Sequence, residues 1–254
     1  TIYAFMKEEF QSHQSCTSNV IYVLRLICKY FHQRGFLHIP TEIIPFKLPP
    51  SRTKVYPAFK KEDMKRILSA PDRGTVMGRR DYAVLILASV TGMRAIDIAN
   101  LKLSDIQWRD MSIHFIQHKT GNGVTLPLDS RAAVAVSDYL LYGRPDTECQ
   151  NVFLAEAKPY KKLSDKSSIL NILNKYVKLS GIEKIPYDGK SFHAFRRSMG
   201  SWLLETSTPP ELISQILGHQ SKDVLKRYLP LTPSKLSICS LGFEGIQVQS
   251  EVYR

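Results

Sequence analysis

Apolar residues recur along most of this chain at helical spacing, and they switch to strict alternation near its middle. TIYAFMKEEF sets Ile2, Phe5, Met6 and Phe10 on one side of a helix. TSNVIYVLRLICKYFHQRG repeats the pattern with Ile21, Leu24, Ile27 and Phe31, with a Thr17-Ser18-Asn19 cluster able to cap its start and Gly35 to stop it. Pro45, Pro49, Pro50 and Pro57 then remove backbone donors and favour extended chain, which predicts a linker. From Ala58 the helices resume. KKEDMKRILSA reads as a short helix, RRDYAVLILASVTG as a longer one ending at Gly92, and AIDIANLK as another short one. The period then drops to two. SIHFIQ and VTLPL predict strands joined through residues 118–123, with Asn122-Gly123 as the turn signal and Ile106-Gln107-Trp108 as a third strand.

Four helical segments follow. RAAVAVSDYLLYG has Ser130 as its expected cap, and SDKSSILNILNKYVKLSG runs to Gly181. SFHAFRRSMGSWLLET has Ser191 as its expected cap. A capping box at Thr208-Pro209-Pro210-Glu211 opens a helix to Leu217. Ser221 can cap a last segment that carries Tyr228, and the remainder is apolar in patches, as in a tail that docks. The pattern predicts a mainly α protein with a small antiparallel β-sheet (α+β). Its expected parts are a helical region over 1–46, a linker over 47–57, a second domain over 58–230 and a tail over 231–254.

Charge adds a partner to this picture. The net charge is +12 and the isoelectric point is near 9.5, which fits a protein that meets phosphate backbones and, equally, a solvated basic surface or a binder of membrane surfaces or acidic proteins. Lys47, Arg52 and Lys54 in the linker could lie along such a backbone, or merely keep it soluble. No apolar run approaches the roughly 20 residues of a membrane span, and the opening segment, with its two acids, does not read as a signal peptide. Cys16, Cys28, Cys149 and Cys239 are scattered, with no CxxC pair and no metal-ligand spacing. Ordinary thiols in a reducing, cytoplasmic setting are expected, and no metal is.

Several residues could carry chemistry. Arg94 follows the turn Thr91-Gly92-Met93 at a helix start, where the dipole favours anions; a bound phosphate or a salt bridge to Asp97 would account for it. Lys119 sits on the hairpin turn, either as a solvated lysine or as a mobile proton donor. His193 and Arg196 are three apart and so predicted to share a helical face; His219 follows Leu217-Gly218, and Tyr228 comes nine residues later. Each is commonplace alone. An arginine, a hairpin lysine, HxxR, a later histidine and a tyrosine, in this order, make a rarer set.

In order, spacing and predicted structure, TGMRAIDIANLKLSDI, QHKTGNGVTLPL, HAFRRSMGSWLLE and LGHQSKDVLKRY resemble the tyrosine recombinase (phage integrase) family. The resemblance covers residues 58–230. It implies that family's catalytic fold, preceded by a partial helical core-binding domain over 1–46, because only the last two of that domain's roughly four helices are recognisable. A fragment or a naturally short member would both fit. It implies site-specific cutting and rejoining of DNA by a tetramer on two duplexes, through a 3′-phosphotyrosine and a Holliday junction, without cofactor, metal or ATP. Arg94, Lys119, His193, Arg196, His219 and the nucleophile Tyr228 would be catalytic, and Asp97 would orient them. Arg197, Lys47, Arg52 and Lys54 would contact DNA. Tail residues Ile238, Leu241, Phe243 and Ile246 would pack on a neighbouring protomer. The implied partners are double-stranded recombination sites, further copies of the chain and accessory DNA-bending or directionality proteins. The implied setting is a bacterial nucleoid and the implied use is integration or transposition by a mobile element. A type IB topoisomerase, an inactive DNA-binding relative and a basic helical regulator are the competing readings.

Overall fold

A computed structural model describes residues 17–38, 58–164, 167–185 and 188–218. The first predicted helix, the linker residues Lys47, Arg52 and Lys54, and everything from His219 onward, including Ser221, Tyr228 and the tail, lie outside the described residues. Backbone contacts divide the chain into two units, Thr1–Lys54 and Val55–Arg254.

In the first unit, α1 (Thr17–Gln33) is a single amphipathic helix. Its buried line passes through Ile21 and Cys28, with Leu24 half-buried, while Ile27 and Phe31 are each 44% exposed. The expected stripe through Ile27 and Phe31 is therefore corrected. At about 3.6 residues per turn, Cys28 returns to the azimuth of Ile21 and Ile27 falls well round the helix from it.

The second unit is built around α3 (Val76–Thr91). Thr75 caps it by accepting from the Gly78 N–H at 3.0 Å, so the helix begins ahead of the RRDYAVLILASVTG segment. Every residue from Ala83 to Ser89 is buried. A helix apolar all round must be wrapped on all sides. Here α2 (Lys61–Ser69), α4 (Ala95–Asn100), α5 (Ser130–Tyr142), α6 (Ser168–Leu179) and α7 (His193–Glu205) all pack against it. The short α8 (Pro210–Leu217) packs on α7. No helix among the described residues is long and apolar enough to cross a membrane.

Two polar ties lock this core. The Asp81 carboxylate, 1% exposed, accepts from Arg80 Nε at 3.0 Å and Nη2 at 2.8 Å, and from the Tyr176 hydroxyl at 3.0 Å. Arg80 also donates to the Leu154 carbonyl at 3.1 Å, so one buried pair joins α3, α6 and the 151–155 loop. The Ser198 hydroxyl accepts from the Phe59 N–H at 2.9 Å, fixing the start of the unit on α7. Burial leaves Tyr139, which accepts from the Leu154 N–H, with a phenol pKa above its usual value.

Strands β1 (Ile106–Gln107), β2 (Ser112–Ile116) and β3 (Gly123–Pro127) form an antiparallel sheet in that order. Its register pairs Ile106 with Ile113, Ile113 with Leu126 and Phe115 with Val124. This is the expected mainly helical fold with a small antiparallel sheet. Several local expectations are corrected. Asn122-Gly123 is not the hairpin's tight turn: the alternation of Ile113 and Phe115 sets the register, Gly123 pairs with Ile116, and residues 117–122 form a longer loop. Trp108 lies past β1. Asp129 caps α5 in place of Ser130, since its carboxylate accepts from the Arg131 N–H at 2.9 Å. Ser191 makes no side-chain cap on α7. Pro209 occupies the cap position of α8, with Pro210 the first helical residue, so the capping box does not form; the Thr208 hydroxyl meets that of Thr206 at 3.2 Å.

Candidate active site

Three elements converge beside the C-terminal end of α3. The first is the turn at Gly92, whose left-handed backbone (φ +62°) ends α3 and starts α4 at Arg94. Arg94 is the cap residue of α4, as its place after Thr91-Gly92-Met93 implied. Its guanidinium donates to Gln117 Oε1 at 2.9 Å and stands 3.8 Å from Asp97 Oδ2. Both of the readings open for Arg94 retain a place: the ion pair exists, and the side chain is still 16% exposed.

Asp97 is 3% exposed. Its Oδ1 accepts from the His118 N–H at 2.9 Å, which ties α4 to the hairpin loop. Its Oδ2 accepts no hydrogen bond among the described residues. A buried carboxylate with one open oxygen beside an arginine keeps that arginine's charge in place without consuming a donor.

The second element is the loop 117–122. Lys119 is exposed on it. The loop is closed by two backbone bonds of Gln117, which donates to the Asn122 carbonyl and accepts from the Gly121 N–H, both at 2.8 Å. Gln117 itself is 2% exposed. Its Oε1 also accepts from the Thr120 hydroxyl at 2.9 Å, and its Nε2 faces the Leu217 carbonyl at 3.5 Å.

The third element is the pair α7 and α8. Arg196, 2% exposed, donates from Nη1 to the Gly92 carbonyl at 3.0 Å and from Nη2 to the Leu217 carbonyl. His193 begins α7 and is exposed, so one helical turn separates an outward histidine from an inward arginine, and the predicted shared face does not extend to shared burial. Arg197 is half-buried and donates to the Gly189 carbonyl. The turn before it is held by Asp188, which accepts from Lys190 N at 2.8 Å and Ile185 N at 3.0 Å. Burial pushes the Asp188 carboxyl up, but those N–H groups and the Lys190 ammonium outweigh it and hold the group below the usual carboxylate range. Helix α8 ends at Gly218, left-handed at φ +60°, and His219 is the next residue in the chain. A Cβ at Gly218 would stand 2.6 Å from Gln117 Oε1, so the φ favours glycine and any larger residue would have to displace the Gln117 amide.

The structure thus brings Arg94, Asp97, the Lys119 loop, Arg196 and the end of α8 into one linked cluster. His219 and Tyr228 lie outside the described residues. No group of three or more His, Cys, Asp or Glu side chains among the described residues could hold a metal. Gln117 is not among the side chains expected at the site. Its signal was there: Ile113, Phe115 and Gln117 occupy one phase of the alternation, so an amide falls where an inward side chain is due.

The profile of the phage integrase family matches residues 57–235. The y4gC protein of Sinorhizobium fredii, whose name groups it with integrases and recombinases, is 31% identical over 184 residues, covering 72% of this chain and 93% of that protein. Tyrosine recombinase XerD of Listeria innocua is 26% identical, over 92% of this chain and 77% of its own. Two further Sinorhizobium fredii relatives, y4rA and y4rF, are longer, and the match spans 53% of each. Among solved structures, XerH bound to a palindromic difH substrate superposes with a TM-score of 0.76 at 14% identity, over 96% of this chain and 71% of XerH. A lambda integrase dimer on a core site gives 0.68 at 17% identity, over 89% and 77%. At those identities the likeness is one of fold.

Proposed function

Because this chain belongs to the phage integrase family of tyrosine recombinases, we propose that it cuts and rejoins DNA at specific sites through a covalent 3′-phosphotyrosine. The reading is supported above all by the cluster around Gln117 and the Leu217 carbonyl, which links two arginines from distant parts of the chain beside an exposed lysine loop. A phosphodiester carries its charge on non-bridging oxygens, and planar guanidinium forks match that geometry.

In the proposed reaction Arg94 and Arg196 hold the scissile phosphate, and His219 adds a hydrogen bond to one of its oxygens. The Tyr228 oxygen attacks phosphorus while His193 helps accept the phenolic proton. The bond to the 5′ oxygen breaks, and Lys119 delivers a proton to that oxygen. Asp97 holds Arg94 and the loop in place. The phosphotyrosine keeps the energy of the broken ester, so rejoining needs neither ATP nor a metal. Attack by the 5′-hydroxyl of a second duplex then exchanges strands, and four protomers on two duplexes would carry the exchange through a Holliday junction. Arg197 and the linker residues Lys47, Arg52 and Lys54 would add phosphate contacts.

The test uses nicked duplexes with randomised sequence around the nick, on which the freed 5′ fragment diffuses away and traps the adduct. Wild-type chain should become covalently linked to a subset of the pool, and Tyr228→Phe should not. Equal behaviour of the two proteins would show that Tyr228 is not the nucleophile.

A further inference from the structure

We propose that Gln117 is a positioning residue for strand cleavage, setting the Arg94 guanidinium, the Lys119 loop and the end of α8 in one register; the inference rests on the functional reading above. Among the described residues, the bond to Gln117 Oε1 is the one hydrogen bond of the Arg94 guanidinium, because Asp97 stands too far away for one. An arginine offers five N–H donors, so a single anchor fixes the plane of the fork and leaves the remaining donors for an anion.

The choice of an amide follows from the same geometry. Both acceptor sites of Oε1 are used, by Arg94 Nη1 and by the Thr120 hydroxyl, each at 2.9 Å. The other end of the amide must face a carbonyl, that of Leu217, which also receives Arg196 Nη2. A side chain here has to accept at one end and donate at the other. A carboxylate would repel the Leu217 carbonyl and would neutralise Arg94 just where positive charge is needed. Glutamine holds the guanidinium without cancelling its charge.

Position does the rest. The backbone of Gln117 closes the loop that carries Lys119, through Gly121 N and the Asn122 carbonyl. Gly218 lies directly against its amide, one residue before His219. A shift of this side chain would therefore move the proposed clamp, the loop of the proton donor and the end of α8 relative to one another. Misplacements of that kind cost rate far more than binding.

The experiment compares wild type with Gln117→Met and Gln117→Glu on a single nicked duplex chosen from the pool that wild type cleaves. Both replacements keep the length of the side chain; Met removes the hydrogen bonds, and Glu keeps an acceptor but adds charge. At saturating DNA, the rate of adduct formation should fall by on the order of tenfold to a hundredfold for Met. For Glu it should fall at least as far. DNA affinity should stay within about twofold of wild type, since remote phosphate contacts dominate it. Rates at wild-type level in both variants would overturn the inference. So would a loss of rate matched by an equal loss of affinity or of folded protein, which is what a purely structural amide predicts. A Glu variant faster than the Met variant would overturn the argument for a neutral acceptor. A wild-type chain that forms no adduct with any member of the pool would overturn the functional reading, and this inference with it.

Discussion

Replacing Gly218 by alanine gives the sharpest check on how the site is assembled. The residue is left-handed at φ +60°, where a Cβ costs about 1–2 kcal/mol. The new Cβ would also stand 2.6 Å from Gln117 Oε1 and 2.7 Å from Cδ, well inside contact distance. The amide has to move. Moving it stretches the bonds from Arg94 and Thr120, each worth about 0.5–1.5 kcal/mol, or more where the donor is charged. The expected loss is about 2–5 kcal/mol, softened by whatever relaxation the side chain finds. Gly121→Ala is the matched control. Its φ is +71°, but a Cβ there meets nothing within 4 Å, so only the backbone term of about 1–2 kcal/mol applies. Urea unfolding followed by tryptophan fluorescence reads both, because Trp108 and Trp202 both belong to the second unit. Adduct formation should fall further in Gly218→Ala than stability alone explains. Equal losses of stability in the two alanine variants would refute the claim that Gly218 makes room for the Gln117 amide.

Two other changes probe the frame around the site. Asp81→Ala should cost about 3–5 kcal/mol in the same urea assay, because among the described residues it leaves the buried Arg80 guanidinium with the Leu154 carbonyl as its remaining hydrogen-bond partner; a loss below about 1 kcal/mol would contradict that account. The Asp188 carboxyl is held below its unfolded value of about 3.9, so its contribution is complete above that value and is lost as pH falls through the folded one. Asp188→Asn should therefore be less stable than wild type at neutral pH, and the gap should close in acid; a gap as wide at about pH 3 as at pH 7 would refute it.

Period and punctuation made the architecture legible. The nearly continuous apolar run from Ala83 to Val90, broken only by Ser89, predicted a strong helix, and α3 is that helix, wrapped by its neighbours. The alternation in SIHFIQ announced the sheet, and Gly92 announced the end of α3. Finer features were not readable, because they depend on competition between neighbours. Asp129 outcompetes Ser130 for the α5 cap, and strand register moves the turn away from Asn122-Gly123.

The sequence by itself determined which side chains are candidates to hold a phosphate and where they fall along the chain: Arg94 at a helix start, Lys119 on a hairpin, Arg196 inside a helix. Tertiary structure alone decided what stands between them. Nothing local links Gln117 to Arg94 or to Leu217, since those contacts exist only where the hairpin, α4 and α8 are brought together in the folded unit. The physical reason is that residue type and period are properties of short windows, whereas a hydrogen bond between distant segments depends on the whole core that brings them together.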